Sequence, residues 1–137
     1  MATANAGVLD EIRRFVPIWN INPLAERFLR ICLQHRDDYE QARVRCIEET
    51  QSLTLSLAKL PQLKVWETFS NFVLFKILDS RATSVELRDH LLKKHGLYVR
   101  DCSRKGGLGD KFIRVGTNLP AENQRLVEGI REFFARA

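Results

Sequence analysis

The spacing of apolar residues changes at Pro61, and this change constrains the fold more than any other feature of the 137-residue sequence. Between about residue 37 and Leu60, apolar residues recur at three-, four- or seven-residue steps, which is the repeat of one helix face. After Pro61, residues 63–67 and 72–77 are rich in β-forming residues and are separated by polar turn residues. The sequence therefore predicts a chain that begins as helices and continues as an α+β domain.

Residues 1–60 are predicted to form a helical arm. A short helix is expected over residues 8–15, and a second from Pro23 to about His35, because Asn22 can accept a free backbone N–H and proline loses nothing at the first helical position. A third helix, of about 22 residues, would be roughly 33 Å long at 1.5 Å per residue. The second helix is expected to bury its apolar residues, which are Leu24, Phe28, Ile31 and Cys32.

Residues 61–137 are predicted to form an α+β sandwich, a small and mostly antiparallel sheet of about four strands with two helices on one face. One helix begins at the capping box Thr83-Ser84-Val85-Glu86 and ends at Gly96, a residue suited to left-handed backbone. The other begins at Pro120 and carries apolar residues at helical spacing. The predicted strands are 63–67, 72–77, 97–102 and 111–116. Many unrelated functions use such an architecture.

Composition excludes several classes of protein. Apolar residues make up 45% and charged residues 28%, which is ordinary for a soluble globular chain. No apolar stretch reaches the roughly 20 residues of a membrane span, and the first residues lack the apolar block of a signal peptide, so we expect a cytoplasmic protein without a membrane partner. The three cysteines form no CxxC pair and have no histidine at ligand spacing, so we expect reduced thiols and no metal site.

Positive charge is concentrated in residues 100–114. The formal net charge of the whole chain is +5, and in this segment five basic residues are accompanied only by Asp101 and Asp110. An excess of this kind is typical of proteins that bind phosphorylated substrates or nucleic acid. The loop 103–110 contains three glycines and either forms a phosphate cradle or is a plain flexible connection. The five basic residues are Arg100, Arg104, Lys105, Lys111 and Arg114.

Several short motifs share their order and spacing with one enzyme family. They resemble the carboxy-terminal part of histidinol-phosphate aminotransferases and of the related threonine-phosphate decarboxylases, which are fold-type-I pyridoxal-phosphate enzymes. The resemblance covers almost the whole chain. The motifs are Val-Pro-Ile-Trp-Asn-Ile-Asn at 16–22, Ser-Asn-Phe at 70–72, Val-Arg-Asp-Cys-Ser at 99–103, Gly-Leu-Gly-Asp at 107–110, and Phe-Ile-Arg-Val-Gly-Thr at 112–117 with Glu122-Asn123 beyond it.

The resemblance implies an intact enzyme larger than this chain. In such enzymes a large amino-terminal domain holds pyridoxal phosphate through a lysine, an aspartate and a phosphate-binding helix start. None of those motifs occurs here, so the chain is expected to be a small carboxy-terminal domain that binds no cofactor and catalyses nothing alone. The intact enzyme is expected to be a homodimer that acts on an amino acid or an amino-acid phosphate.

The resemblance also assigns substrate-binding residues. Arg114 matches the arginine that pairs with the substrate α-carboxylate, a task suited to the planar guanidinium group. Arg100 on the neighbouring strand is either a ligand for a substrate phosphate, a partner for Asp101 or a solvated side chain. Asn71 either lines the mouth of the active site or serves only the local turn. Trp19 and Asn20 resemble residues that line the entrance between domains or subunits, and Asn22 is expected to cap a helix.

Two other sets of residues are weighed against simpler roles. The histidines, His35, His90 and His95, have no partner at catalytic spacing and are expected to be solvated or to cap helices. The alternative function is a small basic module that binds RNA or another anion, since such modules also place helices on one face of a sheet. Phe72 and Phe75 fall on opposite faces of their strand and no aromatic cluster is evident, so no nucleic-acid partner is expected.

Overall fold

The structure is a computed structural model that describes residues 5–15 and 21–135. Each helix and strand predicted from the sequence has a counterpart. The helices are α1 (Ala6–Phe15), α2 (Pro23–Gln34), α3 (Arg36–Ala58), α4 (Ser84–His95) and α5 (Pro120–Ala135), and the strands are β1 (Leu63–Val65), β2 (Phe72–Ile77), β3 (Arg100–Asp101) and β4 (Phe112–Gly116). None of the helices in the described part of the chain is long and apolar enough to cross a membrane.

The chain divides into two compact units, residues 1–39 and 40–137. In the first unit Asn22 caps α2 as predicted, since its side-chain oxygen accepts a hydrogen bond from the Ala25 N–H at 2.9 Å. The predicted burial of the apolar face of α2 is wrong. Leu24 is 81% exposed and Phe28 is 62% exposed. Ile31 is also exposed and Cys32 only half-buried. The spacing of apolar residues shows that a helix has a face to bury, but it does not specify a partner, and the described residues supply none.

The four strands form one antiparallel sheet in the order β1-β2-β4-β3. Its two central strands pair over five residues, from Phe72 opposite Gly116 to Lys76 opposite Phe112. Side chains alternate between the two faces, as in any strand. Val73 and Phe75 of β2 point to the face that the helices cover and are fully buried.

The core of the second unit lies between this sheet face and the helices. Residues of α4 and α5 supply most of the helical side, which confirms the predicted sandwich. Each fully buried aliphatic or aromatic side chain contributes about 1.5–3 kcal/mol to folding. The end of α3 belongs to the same core through Leu53 and Leu57, so the unit begins inside α3 and not at residue 61. The buried side chains of the two facing helices are Leu87, Leu91, Leu126, Val127 and Ile130.

Strand β3 is much shorter than the predicted strand over 97–102. The reason is the way α4 ends. Gly96 adopts the left-handed conformation with a φ of 65°, as predicted, and the N–H of Leu97 then donates to the carbonyl of Leu91 at 3.1 Å. Because that N–H closes the helix, Leu97 cannot donate it to a strand ladder. The pairing with β4 covers only Arg100 and Asp101.

Lys111 holds the turn between β2 and α4. Its ammonium group donates to the carbonyls of Asp79 at 3.2 Å and Ser80 at 2.9 Å, and also to the carbonyl of Ala82. One side chain therefore satisfies three backbone acceptors that would otherwise depend on water. This basic residue is engaged in the fold, so it does not add to the charge available for a ligand.

Replacing Lys111 by Met is expected to lower the free energy of unfolding by about 1.5–3 kcal/mol, because hydrogen bonds from a charged donor are lost while the volume is kept. Urea unfolding of the two proteins measures the change. Lys105→Met is the matched control, since Lys105 is exposed in the loop, and should change stability by less than about 0.5 kcal/mol. Equal stability of Lys111→Met and the wild type would contradict the structural role.

Candidate functional site

Arg100 and Arg114 lie side by side on the face of the sheet that the helices leave open. They are directly paired residues of the neighbouring strands β3 and β4. Across its other side Arg114 is paired with Leu74 of β2. The predicted proximity of these two residues is confirmed, and we call them the arginine pair.

The guanidinium group of Arg114 is held by an aromatic ring. Its central carbon lies 4.6 Å from the ring centroid of Phe72, an arrangement in which the ring attracts the cation and restricts it. Within residues 5–15 and 21–135 the structure shows no carboxylate within 4 Å of either guanidinium of the arginine pair. Two arginines at paired strand positions, with no carboxylate beside either among the described residues, favour binding of an anionic ligand.

Asp101 does not partner Arg100, so that alternative is wrong. Its residue position pairs with Ile113, on the covered face of the sheet. The carboxylate accepts hydrogen bonds from the Ser84 hydroxyl at 2.6 Å and from the hydroxyl and N–H of Ser103 at 2.7 and 2.9 Å. Arg88 of α4 lies 3.8 Å away. Asp101 therefore links β3 to α4 and leaves Arg100 exposed to solvent.

These contacts lower the pKa of Asp101. Burial acts in the opposite direction and raises it, since a charged carboxylate is poorly solvated in the protein. The hydrogen bonds from Ser84 and Ser103 and the charge of Arg88 together outweigh that effect. The carboxylate is therefore ionised at neutral pH and fixes the strand that carries Arg100.

The open face also contains aromatic side chains that the sequence analysis did not group. Trp66 and Phe112 stack with their centroids 5.7 Å apart. Lys64 lies 5.3 Å from the Trp66 ring and Lys76 lies 5.7 Å from the Phe112 ring. Together with Phe72 beneath Arg114, these rings form a layer in which aromatic and cationic groups alternate. The pairing register brings them together, because it places their positions on one face.

Several backbone N–H groups of the glycine-rich loop 103–110 already donate hydrogen bonds to the protein. The N–H groups of Ser103, Lys105 and Leu108 all donate within the segment from Asp101 to Lys105. Gly107 and Gly109 adopt positive φ angles of 83° and 78°, which explains the glycines as requirements of the turn. This arrangement favours the interpretation of the loop as a connection over that of a phosphate cradle.

Asn71 lies directly before β2. It lines a cavity of about 660 Å³ between α3 and the segment before β2, and neither arginine lines that cavity. Its backbone carbonyl accepts the Thr117 N–H at 2.9 Å, at the end of β4. Trp19 and Asn20, the proposed entrance residues, lie outside the described residues.

The end of β4 is tied to α3 and α5 by polar contacts. The buried Thr50 hydroxyl donates to the Cys46 carbonyl at 2.7 Å, so its 2.8 Å contact with Thr117 must be a hydrogen bond that Thr117 donates. Asn123 accepts the N–H of Asn118 at 3.0 Å. These bonds fix the strand end that follows Arg114. Asn123 belongs to a motif that the sequence analysis had singled out. No sequence pattern indicated the role of Thr50.

The three histidines have different surroundings. His35 is exposed and is the C-terminal cap residue of α2, which confirms a capping role. The predicted solvated or capping roles are wrong for the rings of His90 and His95, whose Nε2 atoms are both buried. Nε2 of His95 lies 3.2 Å from a carboxylate oxygen of Glu132 on α5. Sequence spacing could not show this contact, because it joins two different helices.

Comparison with known proteins decides the family. Residues 1–130 match the family described as aminotransferase class I and II. The chain belongs to this family. It is 34% identical over 130 residues to an L-serine phosphate decarboxylase of Campylobacter jejuni and 27% identical over 125 residues to a histidinol-phosphate aminotransferase of Methanothermobacter thermautotrophicus.

Both alignments cover 91% of this chain but only 33% of the relative, so this aminotransferase class I and II chain spans about a third of their length. A solved structure of a decarboxylase from Sulfurospirillum multivorans superposes with a TM-score of 0.76 at 27% identity. That superposition covers 94% of this chain and 37% of the other. The motif resemblance and the fold therefore point to the same family.

The cavity beside Asn71 of this aminotransferase class I and II chain does not fit a pyridoxal-phosphate site. The cofactor needs a lysine for covalent attachment and an acidic partner for its ring nitrogen. That cavity is lined by Glu67 but by no lysine, so the covalent attachment point is missing there. Lys111 is bound to three carbonyls.

Replacing Asp101 by Asn is expected to destabilise the chain at pH 7, because the negative charge that Arg88 and the serine hydroxyls stabilise is lost. The pKa of Asp101 is lower in the folded than in the unfolded chain, so its stabilisation is present above the unfolded value of about 3.9 and is lost as the pH falls through the folded value. Urea unfolding should therefore show a difference between wild type and Asp101→Asn that narrows below about pH 4.

The control for this experiment is Asp110→Asn, since Asp110 is exposed in the nearby loop. It should have little effect on stability at either end of the pH range. A destabilisation by Asp101→Asn that stays constant from neutral to strongly acidic pH would contradict the role of the ionised carboxylate.

Proposed function

We propose that this chain is the small carboxy-terminal domain of a pyridoxal-phosphate-dependent enzyme that acts on an amino acid or an amino-acid phosphate. The observation that carries the proposal is the arginine pair on the open sheet face, two arginines at directly paired strand positions with no carboxylate within 4 Å of either guanidinium group among the described residues. In this role the chain binds and orients the substrate. No residue of the chain is assigned a catalytic step.

Arg114 binds the α-carboxylate of the substrate. A guanidinium group can donate two parallel hydrogen bonds to a carboxylate, which fixes the orientation of the ligand as well as its position. The Phe72 ring beneath the guanidinium limits its movement before the substrate arrives. A substrate held at its carboxylate has its α-carbon bonds directed at a fixed angle, and correct orientation of this kind lowers the barrier of the subsequent chemistry.

Arg100 binds a phosphate group of the same substrate. It is exposed, directly opposite Arg114, and its neighbour Asp101 is engaged elsewhere. The relatives named above act on L-serine phosphate and histidinol phosphate, so a phosphorylated substrate agrees with the local charge.

A separate large domain holds the cofactor, which supplies the electron sink for the reaction. The exposed apolar residues of the first unit support such a partner. Phe15, Leu24 and Leu33 are each more than three-quarters exposed. Helices of 10 and 12 residues are marginal without an apolar partner, so these faces are suited to contact with further protein. We place this chain in a homodimeric enzyme on the basis of the family resemblance alone.

The open sheet face is the feature that favours the alternative, an RNA-binding module. Proteins of that kind stack bases on exposed aromatic side chains of the central strands. Here Trp66 and Phe112 stack on each other, and Phe72 is covered by Arg114. The rings are thus engaged with the protein's own groups, and we propose no nucleic-acid partner.

Kinetics of the whole enzyme, cofactor domain included, separate the two arginine roles. Arg114→Gln should lower kcat/KM for phosphorylated and unphosphorylated amino acids alike by about 10- to 150-fold, the equivalent of about 1.5–3 kcal/mol for a charged hydrogen bond. Arg100→Gln should lower it by a similar factor only for phosphorylated substrates. The two measurements together test which end of the substrate each residue binds.

The matched control is Arg104→Gln in the glycine-rich loop, which should leave kcat/KM for both substrates within about twofold if the loop is only a connection. The assignment of Arg114 is wrong if Arg114→Gln retains full kcat/KM. The assignment of Arg100 is wrong if its replacement affects both substrates equally or neither.

A further inference from the structure

Two histidines and a glutamate meet between α4 and α5. Each of His90, His95 and Glu132 can offer one ligand atom, and the three atoms lie within 4.8 Å of one another. One of these contacts is the 3.2 Å between Nε2 of His95 and Oε2 of Glu132. The cluster has no part in the proposed substrate site, because it lies in the helix layer and the arginine pair lies on the opposite, open face of the sheet.

The packing of the two helices positions the His95 ring. Gly129 of α5 lies beneath this ring, and a Cβ atom there would come within 3.1 Å of His95 Cδ2 and within 2.8 Å of Leu91 Cδ2. The glycine therefore allows the ring to lie directly against α5. From the same helix the Arg125 guanidinium donates to the His95 carbonyl at 2.8 Å, which fixes the end of α4.

The His90 ring is positioned by its aromatic neighbours. Its centroid lies 5.5 Å from that of His95 and 5.3 Å from that of Phe133, the latter edge to face. The Nε2 atoms of both histidines are buried. Both rings are thus fixed in place by protein contacts, and site geometry that is set in advance lowers the cost of binding an ion.

We propose that His90, His95 and Glu132 bind one divalent transition-metal ion of the zinc class. Two imidazoles and one carboxylate are a ligand set that zinc uses, with water in the fourth position of the tetrahedron. Bonds of about 2.0–2.2 Å at tetrahedral angles place neighbouring ligand atoms roughly 3.4 Å apart. The His95–Glu132 pair has that spacing already. Rotation of the partly exposed Glu132 side chain can adjust the distances from its carboxylate to the two imidazoles.

The bound ion would connect α4 to α5 and stabilise the helix layer. An ordinary ion pair between His95 and Glu132 accounts for their 3.2 Å contact but requires only two of the three residues. The imidazole of His90 lies close to the same pair, and a metal site uses all three residues. Calcium and magnesium prefer oxygen ligands, so two imidazoles select against them.

Calorimetry with Zn²⁺ tests the site on the full chain, prepared without a histidine tag and treated with a chelator. We expect one ion per chain and a rise in Tm of about 5 °C or more at a hundredfold excess over Kd. Glu132→Gln and His95→Gln should each weaken binding by about a hundredfold or more, since even residues outside the ligand shell are worth about 10- to 100-fold. His35→Gln, which changes an exposed histidine elsewhere, should bind as the wild type does.

Co²⁺ provides a second readout, because its visible spectrum distinguishes tetrahedral coordination by nitrogen and oxygen from coordination by thiolate. The proposal predicts no thiolate band. Failure of the wild type to bind Zn²⁺, unchanged binding in Glu132→Gln, or a thiolate band would each overturn the site. If His95→Gln does not fold, the result with the more exposed Glu132 decides, since that substitution removes a ligand without altering the helix packing.

Discussion

The pairing of β2 with β4 determines where the functional side chains of the second unit point. Along these strands Phe75 and Ile113 pair on the covered face, while Leu74 and Arg114 pair on the open one. A shift of one residue in β4 would place Arg114 in the core and expose Ile113, which is fully buried. Burial of apolar side chains beneath the helices therefore fixes the direction of an arginine that contributes nothing to that burial.

The same fold divides the basic residues of the segment 100–114 into different roles. Lys111 satisfies three backbone carbonyls and stabilises a turn. Arg104 and Lys105 lie in a loop in which several backbone N–H groups already donate to nearby residues of the chain. Only the arginine pair combines a shared sheet face with the absence of a carboxylate among the described residues, because Asp101 is directed to Ser84 and Arg88 on the other side. Of the five basic residues in this segment, only the arginine pair therefore forms a candidate anion-binding site.

Features governed by local chemistry could be predicted from the sequence. The change of period at Pro61, the capping box before α4 and the left-handed Gly96 each depend on residues within a few positions, and the structure has all three. The assignment of Arg114 came from motif resemblance, and its cross-strand position next to Arg100 agrees with it.

Features that join distant parts of the chain could not be predicted. The hydrogen bond between Thr50 and Thr117 spans 67 positions, and no spacing rule links such residues. The contact of His95 with Glu132 depends on how two helices cross. The apolar face of α2 could be recognised from the spacing of Leu24 and its neighbours, but its partner could not. Among the described residues this face is exposed.

The central claim is that the arginine pair is an anion-binding site, and NMR of the arginine side chains tests it most directly. O-phospho-L-serine added to the labelled chain should shift the Nε–H resonances of Arg100 and Arg114 together and saturably. L-serine should affect mainly Arg114, and inorganic phosphate mainly Arg100. Arg104 should not respond. Shifts spread evenly over all arginines, or confined to the loop, would contradict the account.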